Sequence, residues 1–291
     1  MTMFKNVKEL IEKCDNEHKA IHEVMLEQEM SVSGLTRDEV YAYMDKNLQT
    51  MEHALEEGLN GVSSKTGLTS GDAVLIKRYL ATGQALSGVT LLDAVSKAVA
   101  TNEVNAAMGK ICATPTAGSA GVVPGVLFGL EPRLHPTRRD MLNFLLTAGA
   151  FGFVVANNAS ISGAAGGCQA EVGSAAAMAA AATVELAGGT PQQSAEAFAI
   201  CLKNMLGLVC DPVAVLVEVP CVKRNAAGAS NAIVSADMAL AGVTSRIPTD
   251  EVIEAMYKIG QTMPSALRET GRGGLAGTPT GQRLKQQIFG D

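Results

Sequence analysis

Six cysteines stand at positions 14, 112, 168, 201, 210 and 221. Three sit where glycine, proline and polar residues meet: GGCQAE at Cys168, LVCDPV at Cys210 and VPCVKR at Cys221. A deprotonated thiol ligates metals, whereas a free cysteine is otherwise a small buried hydrophobe. The intervals of 42 and 11 residues match neither the compact ferredoxin runs nor paired zinc motifs, so spacing leaves both readings open. Cys14 and Cys201 fall inside helical patterns and read as core, and Cys112 reads as buried ahead of a loop. That loop, TPTAGSAG, offers the hydroxyls of Thr114, Thr116 and Ser119 beside successive backbone amides. Such a turn can hold a carboxylate or phosphate, although a tight inter-helix turn accounts for it equally well. It is not a phosphate-binding Walker loop, because no Lys-Ser/Thr pair follows its glycine. Arg272 in GRGG, with Arg268 four residues before it, suits bidentate carboxylate binding or plain surface charge. Lys223, Arg224, Asn225 and Asn231 follow Cys221 near an expected helix start, where an anion is favoured and where Asn225 also suits a cap. His18, His22, His53 and His135 form no metal-binding or triad pattern.

The elements that must position these groups read mostly as helix. Across 6–30, Val7, Leu10, Ile11 and Cys14 recur at helical spacing, followed by Ile21, Val24 and Met25. Thr36 with Glu39 forms a capping box that starts a helix running to Gly58. Thr190-Pro191-Gln192-Gln193 repeats the signal and starts a helix ending at Gly207. Further helices are predicted near 71–82, 90–109, 137–156, 170–188, 226–241 and 249–262. Val213–Val219 is the best strand candidate, yet β-branched alternation is otherwise scarce, so the expected class is all-α. Glycine-rich stretches at 112–121, 157–168 and 271–277 interrupt the helices, and loops held on rigid helices are where chemistry usually sits.

Composition narrows the class. The 291 residues are 47% apolar and 18% charged, which excludes a disordered chain. The net charge of -6 argues against bulk nucleic-acid binding. Thirty glycines, no tryptophan and 4% aromatics imply an interior of closely approaching backbones. Charge is uneven, with 19 charged side chains in residues 1–60 and nine in residues 141–242. The first 60 residues therefore read as an acidic, solvated or partner-facing helical layer, and no linker separates them from the rest. One compact domain over 1–291 is expected. The apolar run at 144–156 is too short to span a bilayer and reads as a core helix. The N-terminus lacks a secretory pattern, so a cytoplasmic chain with reduced cysteines and no membrane partner is expected.

Four long motifs in order carry a resemblance: NEVNAAMGKICATPTAGSAGVVPGVL, ASISGAAGGCQAEVGSAAAMAAAAT, CDPVAVLVEVPCVKRNAAGASNAIVSADMALAG and ALRETGRGGLAGTPTG. The chain resembles the α chain of two-chain, iron–sulfur-dependent L-serine dehydratases, most strongly over about 102–277. The resemblance implies an essentially helical catalytic domain. It implies a 4Fe-4S cluster on Cys168, Cys210 and Cys221, with one iron left open as a Lewis acid for loss of the serine hydroxyl. It implies conversion of L-serine to pyruvate and ammonia without pyridoxal phosphate. It also implies a separate serine dehydratase β chain whose GPSSSHT-type segment brings a histidine to the site. The fourth, C-terminal cysteine ligand of some one-chain relatives has no counterpart in the closing QQIFGD. For the substrate carboxylate the expected contacts are Thr114, Thr116, Ser119 and Arg272. The general base stays open: that histidine is one candidate, and Lys110 or Lys223 would serve only with a strongly depressed pKa. The alternatives are cluster-dependent elimination on L-cysteine or L-threonine, and a non-catalytic partner subunit.

Overall fold

The computed structural model describes residues 3–290, so the expected domain limits at 1 and 291 lie outside the described residues. Among the described residues there are thirteen α-helices and no strand, an all-α fold as the sequence predicts. The N-terminal layer comprises α1 (Val7–Glu17), α2 (Ile21–Ser33) and α3 (Arg37–Asn60). Next come α4 (Asp72–Leu80), α5 (Val89–Ala106), α6 (Val122–Leu134), α7 (Arg138–Asn158) and the one-turn α8 (Gly163–Gly166). The remainder are α9 (Ser174–Leu186), α10 (Pro191–Lys203), α11 (Cys221–Leu240), α12 (Thr249–Thr262) and α13 (Pro279–Phe289).

The alanine-rich α9 lies at the centre, packed by α6, α7, α10 and α11. Residues 174–184 of it are all buried, because a run of small side chains lets four helices approach one axis. The α5–α6 crossing uses the same device. A β-carbon at Gly125 would lie 2.6 Å from that of Ala98, and one at Gly129 would lie 2.4 Å from that of Ala94. Larger side chains complete the core, where the fully buried Phe151 of α7 and Phe198 of α10 stack with centroids 5.1 Å apart. α7 is long and apolar enough to cross a bilayer, but 61% of its most apolar stretch is buried inside the fold. The acidic N-terminal helices turn Val7, Leu10, Ile11 and Cys14 inward, and Asp250 of α12 accepts from the Val7 and Lys8 amides at 2.8 and 3.0 Å.

Both capping boxes form. The Thr36 amide donates to Glu39 at 2.8 Å, and the Thr190 amide donates to Gln193 at 2.9 Å. Four departures from the sequence reading have physical causes. The 6–30 segment breaks in two at His18, whose left-handed backbone (φ 51°) ends α1. The helix from Pro191 stops at Lys203, followed by turns to Gly207 at φ 83°. Val213–Val219 is no strand: it has no partner edge, and Ala214 and Val215 adopt positive φ of 57° and 61°. α6 was masked by Pro124 and two glycines, yet proline is tolerated in a first helical turn.

Candidate metal centre

Five segments meet at one end of α9. The first is the 114–121 turn. Its carbonyl at Gly118 accepts from Asn102 Nδ2 at 3.1 Å and from Asn225 Nδ2 at 2.7 Å, while Asn225 Oδ1 accepts from the Gly121 amide at 3.0 Å. Asn225 is therefore not a cap but a buried bolt from α11, which begins at Cys221 rather than near residue 226. The second segment is a π-helical turn, Gln169–Gly173, between Cys168 and α9. The Gln169 amide nitrogen anchors that turn by donating to the Gly166 and Met256 carbonyls at 2.9 and 3.0 Å. Such widened turns re-aim side chains and recur at functional sites. Here the turn carries Glu171 inward. The third and fourth segments are the 209–220 loop and the start of α11. The fifth is 265–277: the Cys210 amide donates to the Leu267 carbonyl at 2.8 Å, and the Glu269 amide donates to the Cys210 carbonyl at 2.6 Å.

This assembly brings Cys168, Glu171 and Cys210 together. Their donor atoms all lie within 4.8 Å of one another, and the three buried side chains could hold a metal ion. Glu171 Oε2 is 4.0 Å from Cys168 Sγ. Cys221, at the first position of α11, is also buried and lies close enough to feel the charge of Cys168 and Glu171. Two cationic and anionic neighbours complete the setting. Arg224 Nη1 reaches Cys168 Sγ at 3.5 Å and the Val209 carbonyl at 2.7 Å. Its Nη2 sits 2.8 Å from Asp211 Oδ1, an ion pair without hydrogen-bond alignment. Asp211 Oδ2 in turn accepts from the Leu275 amide at 2.7 Å, tying the 271–277 loop to Arg224. Gly274 passes so close to Asp211 that a β-carbon there would lie 2.2 Å from Oδ2, at a backbone φ of 59°.

The electrostatics are those of crowded anions around one guanidinium. A hydrogen bond from Cys210, helped by Arg224, holds the Cys168 thiol below its ordinary value despite burial. The same bond, burial and the Cys168 charge push Cys210 up. Burial, then the charges of Cys168 and Glu171, push Cys221 up. Burial raises Glu171, opposed by the Thr116 hydroxyl and reinforced by Glu269. Bound cations reverse this logic and leave such thiols deprotonated.

The other expected site residues divide. Thr116 donates to Glu171, and Ser119 donates to the Thr114 carbonyl at 3.2 Å. Thr114 Oγ1 is buried without a partner among the described residues, and so is Arg268 Nε. Arg272, Lys110 and Lys223 are exposed, with Lys223 paired to Asp72. Asn231 turns away to the Cys201 carbonyl at 2.8 Å. Glu171 and Asp211 escaped the sequence reading, although both flank a cysteine. Cys168–Glu171 and Cys221–Arg224 share an i,i+3 spacing, which places paired side chains on one helical face.

A family model described as serine dehydratase alpha chain matches residues 16–276. The chain belongs to the serine dehydratase alpha chain family. It is 71% identical over 288 residues to the probable L-serine dehydratase, alpha chain, of Bacillus subtilis (strain 168), covering 99% of this chain and 96% of that one. It is 43% identical over 288 residues to the L-serine dehydratase, alpha chain, of Peptoniphilus asaccharolyticus, covering 99% of both. Against L-serine dehydratase 1 of Escherichia coli (strain K12), identity is 38% over 280 residues, 94% of this chain but only 61% of that protein. The family match takes in all five segments of the metal centre up to Ala276.

Proposed function

We propose that this chain is the metal-bearing subunit of an iron–sulfur-dependent L-serine ammonia-lyase that converts L-serine to pyruvate and ammonia without pyridoxal phosphate. The observation that carries the reading is the convergence of the buried side chains of Cys168, Glu171 and Cys210 in a serine dehydratase alpha chain. Cys168, Cys210 and Cys221 would hold a 4Fe-4S cluster, and the donor set fits one. Soft thiols suit iron, all three are buried, and among the described residues Arg224 offers charge compensation to Cys168. Without a metal, the bond between Cys168 and Cys210 pushes Cys210 up while holding Cys168 down, and burial with the neighbouring negative charges pushes Cys221 up, a crowding of anions that a cationic centre relieves. When bound, the cluster supplies a Lewis-acidic iron for departure of the serine hydroxyl.

The chain's own groups do the rest of the positioning. Thr114 Oγ1, buried and unpartnered, is the best-supported donor for the substrate carboxylate. Ser119 sets the Thr114 backbone, and Thr116 orients Glu171. Arg272 is exposed on the 271–277 loop that Asp211 anchors, and would meet the substrate from the solvent side. Small residues and buried helices keep bulk water from the thiols.

Anaerobic reconstitution tests the reading. The chain should take up about four irons and four sulfides, as expected for one such cluster. Cys168→Ala, Cys210→Ala and Cys221→Ala should each abolish the visible cluster spectrum. A full cluster spectrum in any of the three would remove that cysteine from the ligand set. With its partner chain, the loaded enzyme should release pyruvate from L-serine faster than from L-threonine or L-cysteine. The reverse order would move the activity to another amino acid.

A further inference from the structure

Three cysteines account for three irons of a four-iron cluster, and the buried group contains one further donor that the cysteine pattern does not reveal. Glu171 sits in the π-helical turn three residues after Cys168. Its two oxygens are treated differently. Oε1 accepts from the Thr116 hydroxyl, and the Gly118 amide also faces the carboxylate. Oε2 accepts from Cys168 Sγ at 4.0 Å, and Cys210 Sγ belongs to the same group of donor atoms within 4.8 Å. One oxygen is thus held by a hydroxyl, and the other is paired with a thiol that is itself a candidate ligand rather than with an amide or hydroxyl.

The backbone around Glu171 is cleared to let it do so. A β-carbon at Gly163 would lie 3.1 Å from Glu171 Oε2 and 2.8 Å from Cys210 Sγ. A β-carbon at Gly118 would lie 2.4 Å from Oε1. Two glycines on separate segments thus leave room for the same carboxylate. Arg224, whose charge is felt at Glu171, is committed to Cys168, Val209 and Asp211.

We infer that Glu171, through Oε2, is the resting donor to the iron that carries no cysteine, held in place by Thr116 and displaced when substrate oxygens arrive. This assignment rests on the cluster reading above. An oxygen donor is the apt choice for such a place. Carboxylate is harder than thiolate and binds iron less tenaciously, so the hydroxyl and carboxylate oxygens of a substrate replace it like for like. Thr116 acts as a positioning residue, since it reaches the metal only through Glu171.

The test uses the full chain, reconstituted anaerobically, reduced and frozen without substrate in water enriched in the magnetic isotope of oxygen. Electron–nuclear double resonance then reports whether solvent oxygen sits on the cluster. The wild-type chain should show no coupled solvent oxygen, and Glu171→Ala should show it. Thr116→Val should lose one iron to a chelator about 10-fold faster than wild type, with the cysteine-bound irons retained. Strongly coupled solvent oxygen in the wild-type cluster overturns the assignment whatever the variants do. The absence of iron and sulfide from the wild-type chain overturns the cluster reading and this assignment together, whereas a four-iron cluster with water on it overturns this assignment alone.

Discussion

Arg224 shows how much one side chain can organise. It joins a thiol on one segment to a backbone carbonyl and a carboxylate on the 209–220 loop, and through Asp211 it extends to the Leu275 amide. A planar guanidinium can serve several directions at once; an ammonium supplies the charge but not the fork. Arg224→Gln is therefore expected to lower the affinity of the reconstituted chain for its iron by about 10-fold or more, the usual cost of losing an outer partner of a metal ligand. Arg224→Lys should fall between that variant and wild type, as measured by iron retained against a chelator. Equal retention in all three proteins would reduce Arg224 to a packing residue. At this scale the sequence was half legible. Cys168, Cys210 and Thr114 announce themselves by type and loop context. Glu171 and Asp211 do not, because a lone acidic residue beside a cysteine has no meaning until the fold points it inward. Lys223 and Arg224 are adjacent in sequence, yet one faces solvent and the other the thiols, a distinction set by the helix starting at Cys221.

The two helix starts that carry a capping box are readable from sequence, whereas several other helix ends and α6 are not. Thr36, Thr190 and their partners carry local chemistry that needs no tertiary context. α6 and the π-helical turn depend on neighbours: α6 is held by the close approach of Gly125 and Gly129 to α5, and the turn by Gln169. α4 has a long-range cap of the same kind. The amides of Asp72 and Ala73 donate to the buried Glu103 of α5 at 2.8 and 3.1 Å. Burial raises the Glu103 carboxyl above its ordinary range despite those two bonds, with Asp72 adding to the rise and Lys223 opposing it. The folded chain therefore holds this proton more tightly than the unfolded chain does. Its contribution to stability is greatest below the ordinary glutamate value, about 4.3, and is lost as pH rises through the raised one. Glu103→Gln removes that titration, at the cost of a poorer cap worth about 1 kcal/mol. Urea unfolding of the metal-free chain should show the variant gaining on wild type as pH rises above about 4.5, then levelling off. A difference independent of pH would mean that Glu103 titrates normally in the fold.

At the scale of the whole molecule, the candidate metal centre is, among the described residues, well supplied with possible ligands and poorly supplied with bases. His18, His53 and His135 are exposed, and His22 is committed to Glu185 at 2.7 Å. Lys110 and Lys223 are exposed, and Lys223 is paired with Asp72. Elimination from L-serine also needs removal of the Cα proton, and Glu171 is engaged with Thr116 and aimed at the thiols. The comparisons fit a division of labour. Relatives named as alpha chains match this chain over nearly their full length, while L-serine dehydratase 1 of Escherichia coli carries much additional sequence in one polypeptide. The missing base is expected on a separate second chain. The cluster-loaded chain alone should therefore release pyruvate from L-serine at close to background rate. Adding the second chain should raise turnover by about 10²- to 10⁴-fold, the range a positioned general base contributes. The cluster spectrum should be present before that addition, which separates a missing base from a missing metal. Full turnover by the isolated chain would place the proton acceptor within these residues and make Glu171, as the buried carboxylate beside the thiols, the first group to reconsider.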